Sequence, residues 1–200
     1  MNRASASAPT NDEWAFAQRV ERIVLALSRW WLPGLIMYGM TLTLLPVIAP
    51  MLKSSGQTAL ASPIYFAYQF ICHQRADRSL HVHGEQMAYC ARDLAIFAGA
   101  VGVALAYASI RRFYHPSMSG LLLVVLAVIP IGLDGVTQLA GWRESTTALR
   151  IVTGVAFSAG VGWYLLPRLE AGFRALEVDV ASRTLPATTP AMRSSGSTEV

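Results

Sequence analysis

"ALASPIYFAYQFIC", residues Ala59–Cys72, decides how this chain is folded. If it crosses a bilayer, the chain has five spans and its termini lie on opposite sides. If it does not, four spans remain and both termini share one side. Fourteen residues fall short of the roughly 20 needed to cross about 30 Å of hydrocarbon, and suit an interfacial or re-entrant segment. The basic residues agree. With four spans, the N-terminus, the 111–117 loop and the C-terminal tail share one side and carry ten of the sixteen Arg and Lys, against six on the other. A fifth span would divide them nine and seven. The positive-inside rule therefore predicts four spans with both termini cytoplasmic.

Working outward, the composition demands lipid as solvent. The 200 residues are 54% hydrophobic and 14% charged, where a soluble domain carries about 25% charged residues. Met1 to Glu13 is polar and lacks a basic start followed by an apolar core, which argues against a cleaved secretory signal. Asn11 to Arg29 reads as an amphipathic interfacial helix, with Phe16, Val20, Ile23 and Leu27 at spacings of three and four. Trp30 and Trp31 mark the membrane boundary, and Trp31 to Pro50 is the first span. The others run from about Leu94 to Ile110, Met118 to Ala140 and Leu149 to Leu166. Ala181 to Val200, rich in Ser, Thr and Pro, has little to bury and reads as disordered.

The predicted fold is thus all-α: an integral membrane bundle of about four transmembrane helices with an amphipathic N-terminal helix. Its parts are a cytoplasmic N-terminal segment (1–29), a four-span domain (30–167) that includes a Cys/His loop (51–93), and a polar, largely disordered tail (168–200). Ala98, Gly102 and Ala106 on the second span, and Gly154, Ser158 and Gly162 on the fourth, form small-residue stripes that suit close helix packing. The net charge of +4 does not indicate nucleic acid, because the arginines flank apolar spans and no aromatic-basic pattern accompanies them. The expected setting is the cell (plasma or inner) membrane. The expected partners are the lipid bilayer, other membrane proteins or further copies of this chain.

Four alternating spans bring the chemistry together. Cys72 to Asp93 lies between spans one and two, Asp134 and Gln138 toward the far end of span three, and Arg143, Ser145, Thr146 and Arg150 just after it. All fall at one face, the extracytoplasmic one by the charge count. A carboxylate at the centre of a span costs roughly 2.5–3.5 kcal/mol, so Asp134 requires a partner, and Arg92 or Arg150 can supply it. A structural Asp–Arg clamp and a catalytic or ion-handling Asp134 both remain open. Cys72, His81, His83, Cys90 and Asp93 are candidate metal ligands, with zinc or iron the ions such donors suit. H-x-H on an extended segment puts both rings on one face, and Cys90 and Asp93 share a face if the second span begins near Tyr89. A Cys72–Cys90 disulfide, which would contribute roughly 3 kcal/mol on an oxidising face, competes with the metal reading. His115, in the opposite loop with Arg111 and Arg112, reads as interfacial.

At these residues the chain resembles a family of small prokaryotic membrane proteins classed as a domain of unknown function. "CHQ" at Cys72–Gln74, "RS" at Arg78–Ser79, "G-x-Q" at Gly84–Gln86 and "CAR" at Cys90–Arg92 match its signature in order. "DGVTQLAGWREST" and "LRIVTG" are similar to its second block, so the resemblance covers about Tyr65 to Gly160. It implies that Cys72, His73, Gln74, Arg78, Cys90, Arg92, Asp134, Gln138 and Arg150 are the positions that matter. Asp93 stands where many members have a further Cys, Ala95 replaces Gly, Phe97 replaces Tyr and Leu80 replaces Phe. Without a C-x-x-C pair, thiol–disulfide exchange is the weaker reading.

Three functions follow. The first is a metal-binding or thiol-bearing site at the extracytoplasmic face, with Arg78, Arg92 or Arg150 holding an anionic group such as a lipid phosphate, and Asp134 as acid–base partner. The second is an accessory or assembly subunit of a larger membrane complex, its loop stapled by a disulfide. Transport comes last, since four spans are few and no inverted repeat is visible. Soluble catalytic motifs are missing from the sequence.

Overall fold

The computed structural model describes residues 10–111, 113 and 120–184. Along the chain lie α1 (Asn11–Ser54), α2 (Thr58–Tyr68), a 3-10 turn (Ala76–Arg78), β1 (Ser79–Val82), β2 (Glu85–Cys90), α3 (Ala91–Ile110), α4 (Gly120–Leu139) and α5 (Thr147–Thr184). Among the described residues, four helical stretches are long and apolar enough to cross a membrane: Trp14–Ser54, Ala91–Ile110, Gly120–Leu139 and Thr147–Ser182. The chain is a four-span α-helical membrane protein. The stretch around Ala59 forms α2, whose 11 residues rise only about 16 Å and cannot span hydrocarbon.

Two glycines set the ends of the first and third spans. Gly56 has φ +82° and Gly141 φ +71°, backbone that favours residues without a Cβ. At each, two hydrogen bonds close a Schellman cap: Gly56 N–H to Lys53 O and Gln57 N–H to Leu52 O, at 3.1 and 2.9 Å, then Gly141 N–H to Gln138 O and Trp142 N–H to Thr137 O, at 3.2 and 3.0 Å. The caps release the chain into the two connections that build the polar site.

The chain divides into two compact units. In the smaller, described over 10–29 and 171–184, the hydroxyl of buried Ser28 donates to Glu177 Oε1 at 2.7 Å. The predicted stripe of Phe16, Val20, Ile23 and Leu27 is not buried in the protein and stays exposed, as a face meant for the membrane surface does. Nor is there a separate interfacial helix ending at Arg29, because α1 continues through "SRWWL", which holds no terminating Gly or Pro. The predicted tail 168–200 is likewise corrected over its first part. Residues 168–184 continue α5, where Leu169, Phe173, Leu176 and Val180 recur at spacings of four and three. Residues 185–200 lie outside the described residues, as do 1–9 and the loop around His115.

In the larger unit, Trp30–Glu170, close approach between helices does the packing. A Cβ added at Gly154 of α5 would lie 2.9 Å from both Ala95 Cβ and Arg92 O of α3. One at Gly162 would lie 2.9 Å from Val103 Cγ1. Between them, Ser158 Oγ donates to Ile96 O at 2.6 Å. The predicted α5 stripe therefore packs as expected. Its partner is a different face of α3, through Ala95 and Gly99, while Ala98, Gly102 and Ala106 are exposed.

Candidate functional site

The connection between α1 and α3 is a folded cap. β1 and β2 form an antiparallel hairpin in which Val82 pairs with Glu85 and His81 with Gln86, with an irregularity between Ser79 and His81. His83 and Gly84, at φ +53° and +82°, make the two-residue turn. The hairpin rests on a buried cluster of Ala49, Tyr68, Cys72, Ala88 and Tyr89, with the Tyr68 and Tyr89 rings edge to face at 4.8 Å. A polar knot holds it to α2. Gln74 Nε2 donates to Tyr65 O at 2.7 Å, the Tyr65 hydroxyl donates to Gln86 O, and Gln86 Nε2 donates to Gln74 O and, at 3.3 Å, to Ser79 Oγ. Gln74, Ser79 and Gln86 of the signature are thereby tied together, which fixes the chain on both sides of Arg78.

The knot holds Cys72 against the start of α3. Cys72 is buried, and its sulfur accepts from Cys90 N–H at 3.2 Å. Cys90 is the N-cap of α3. Asp93 N–H donates to Cys90 Sγ at 3.5 Å, an N-cap bond with sulfur in the hydroxyl's place, and the Cys90 thiol donates to Asp93 Oδ2 at 3.2 Å. Ligand atoms of Cys72, Cys90 and Asp93 lie within 4.8 Å of one another, and both cysteines are free thiols. The hydrogen bond between the sulfurs, then burial and Asp93, push the Cys72 thiol well above its ordinary range. The same bond, with the Asp93 N–H, holds the Cys90 thiol below its usual value against the opposing effect of burial.

Of the five predicted ligands, the structure brings these three together. His81 and His83 are exposed and outside the group. The H-x-H reading required an extended strand through His83, and the chain turns there instead.

Beside the sulfurs stands a carboxylate clamp. Asp134, 1% exposed, accepts from Arg92 Nη2, from Arg143 Nη2 at 2.7 Å and from Ser145 Oγ at 2.8 Å. Arg92 also donates to Gln138 Oε1 at 3.4 Å. The expected Asp–Arg pair is present with Arg92, whereas Arg150 is buried with its Nε without a hydrogen-bond partner among the described residues. Two guanidinium groups face one carboxylate, so the clamp carries a net positive charge.

Thiols and clamp border one cavity of about 600 Å³, lined by Cys72, His73, Arg78, Cys90, Arg92 and Asp93 among others, with Gln138 at its α4 wall. Two donors in that wall, Arg92 Nε and Gln138 Nε2, are buried with no acceptor among the described residues. Arg78 Nε lies 3.5 Å from Asp77 Oδ2 but makes no hydrogen bond among the described residues. The cavity thus offers two sulfurs, a carboxylate and several donors for an anionic oxygen. Sequence reasoning missed Tyr65, whose only signal was proximity to the signature. It placed Arg143 and Ser145 at this face, but not as partners of Asp134. His73, a signature position left out of the predicted ligands, is the imidazole that lines the cavity.

Residues 72–164 match the model of a family described as Predicted membrane protein (DUF2085). An uncharacterized protein of Methanocaldococcus jannaschii is 34% identical over 125 residues, 60% of this chain and 80% of that protein. An uncharacterized protein of Methanothermobacter thermautotrophicus is 35% identical over 102 residues, 51% of this chain and 88% of that protein. No solved structure matches the chain.

Proposed function

The chain belongs to the family of predicted membrane proteins DUF2085, and from that premise we propose that its polar cavity is a metal-binding site. Cys72, Cys90 and Asp93 are the ligands, and zinc or iron is the ion. The observation that carries the proposal is the convergence of those three ligand atoms within 4.8 Å at the wall of the cavity. Two thiolates and one carboxylate suit a borderline divalent ion. Three protein ligands leave a fourth position open to the cavity, the pattern of a zinc site that meets substrate. A bound ion would supply Lewis acidity there. Arg78, Arg92 and Gln138 would orient an anionic group beside it. Asp134 is a positioning residue in this reading, since its oxygens are already engaged by two arginines and a serine.

Metal content per chain, measured on protein purified gently from membranes without chelators, tests the proposal. About one equivalent is expected. Cys72→Ser, Cys90→Ser and Asp93→Asn each lose it, while His81→Ala and His83→Ala keep it. Full metal in the Ser variants would overturn the site.

We place the site at the extracytoplasmic face of the cell membrane, both termini inside, on the ten-to-six division of basic residues. A cysteine introduced by His83→Cys then reacts with a membrane-impermeant maleimide in intact cells, and one introduced by Phe113→Cys does not. The reverse pattern would invert the topology.

One observation favours a second reading. The two sulfurs are close enough for a disulfide after a small shift, and a stapled cap without metal would suit an accessory subunit docking on partner chains or on another copy. Metal-free protein with no alkylatable thiols would select it.

A further inference from the structure

We infer that the ligand of the polar cavity is an anionic lipid, its headgroup among the cavity donors and its hydrocarbon chain in an apolar groove between α1, α3 and α5. The groove measures about 320 Å³, and its walls include Tyr38 and Leu42 of α1, Phe97 and Ala100 of α3, and Phe157 and Val161 of α5. Its one serine, Ser158, spends its hydroxyl on the carbonyls of Ile96 and Gly154. Nothing in the groove asks for a polar guest.

What identifies the guest is the relation between groove and cavity. Along α3, Ile96, Phe97, Ala100 and Ala104 line the groove, and Asp93 lines the cavity. These positions follow Asp93 by three, four, seven and eleven residues, so they share one helix face. The groove therefore begins one turn beyond the cluster of Cys90 and Asp93. From Asp93 to Ala104 the helix rises about 16 Å, close to the depth of one leaflet, half of roughly 30 Å. A single chain of a lipid in that leaflet fits the length.

The other end supplies charge complementarity. Arg92 Nε and Gln138 Nε2 are buried donors without an acceptor among the described residues, and the clamp around Asp134 is net positive. Phosphate or carboxylate oxygens would satisfy those donors in charge-assisted hydrogen bonds. A free anion would leave the groove without an occupant, and a neutral hydrocarbon would leave the donors unmet. The inference rests on reading the cavity as a ligand site, but not on the metal.

The test uses the full chain in detergent with three probes: hexadecyl phosphate, inorganic phosphate and hexadecylphosphocholine. Hexadecyl phosphate is expected to bind saturably, about tenfold or more tighter than either of the others. Ala100→Phe, and Val161→Phe from the opposite wall, should weaken hexadecyl phosphate by about tenfold and leave inorganic phosphate unchanged. Arg78→Gln should weaken both phosphates. Equal binding of hexadecyl phosphate and hexadecylphosphocholine would mark an ordinary annular lipid and overturn the inference. So would groove variants without effect. Metal content read on the same samples separates the two proposals. Chain-dependent binding to metal-free protein keeps this one and removes the metal. Metal-loaded protein that binds inorganic and hexadecyl phosphate equally does the opposite.

Discussion

Asp134 carries one negative charge for two guanidinium groups in a helix that crosses the membrane. Breaking a buried ion pair from one side costs about 3–5 kcal/mol, because the charge left behind has neither water nor partner. Asp134→Asn should therefore lower the thermal midpoint in detergent strongly, whereas Val136→Ala, at an exposed position of the same helix, changes it little. Equal midpoints for the two variants would show that the clamp does not hold the bundle. The need for a partner was legible in the sequence, since a lone carboxylate in a span is too costly to leave unpaired. Its identity was legible only in part. Arg92 was foreseen, but Arg143 and Ser145 reach Asp134 from the connection after α4, and no periodicity announces where a connection folds back. The pairing of Cys90 with Asp93 was legible because three residues on a helix fix a shared face. No such rule covers Cys72, which reaches them through the hairpin.

At the scale of elements, helices were read well and the cap was not. Apolar runs of about 20 residues identify spans with little help from context. The hairpin escaped because its turn is His-Gly rather than Asn-Gly or Asp-Gly, and "EQMAYC" shows no clean alternation. Small residues on α3 were the wrong ones for a related reason. Spacing marks two candidate stripes on that helix, and only packing tells which meets α5. Gly154→Ala puts a methyl group 2.9 Å from backbone and side chain of α3 and should cost about 1–3 kcal/mol. Gly102→Ala enters open space and should be close to neutral. Thermal unfolding of the pair in one detergent checks this, and equal losses would mean that α3 and α5 do not meet as described.

Across the larger unit, the two Schellman caps turn the chain at the same end of the bundle as the start of α3. The consequence is a division of labour. The hydrocarbon-facing helices carry few charges, and the two connections bring thiols, carboxylates and guanidinium groups to one cavity. Because Ala59–Cys72 does not span, the whole connection from α1 to α3 stays on one side of the bundle and folds there as a single cap. Length and charge count together settled that point, and neither required knowing the shape of the cap.

The account turns on whether the sulfurs hold an ion. X-ray absorption at the edge of the metal found in the purified protein measures this most directly. Two sulfur scatterers near 2.3 Å, with the remaining shell of oxygen or nitrogen near 2.0–2.2 Å, are expected for zinc held by Cys72, Cys90 and Asp93. A shell of oxygen and nitrogen alone would contradict the account and return the two thiols to a structural role.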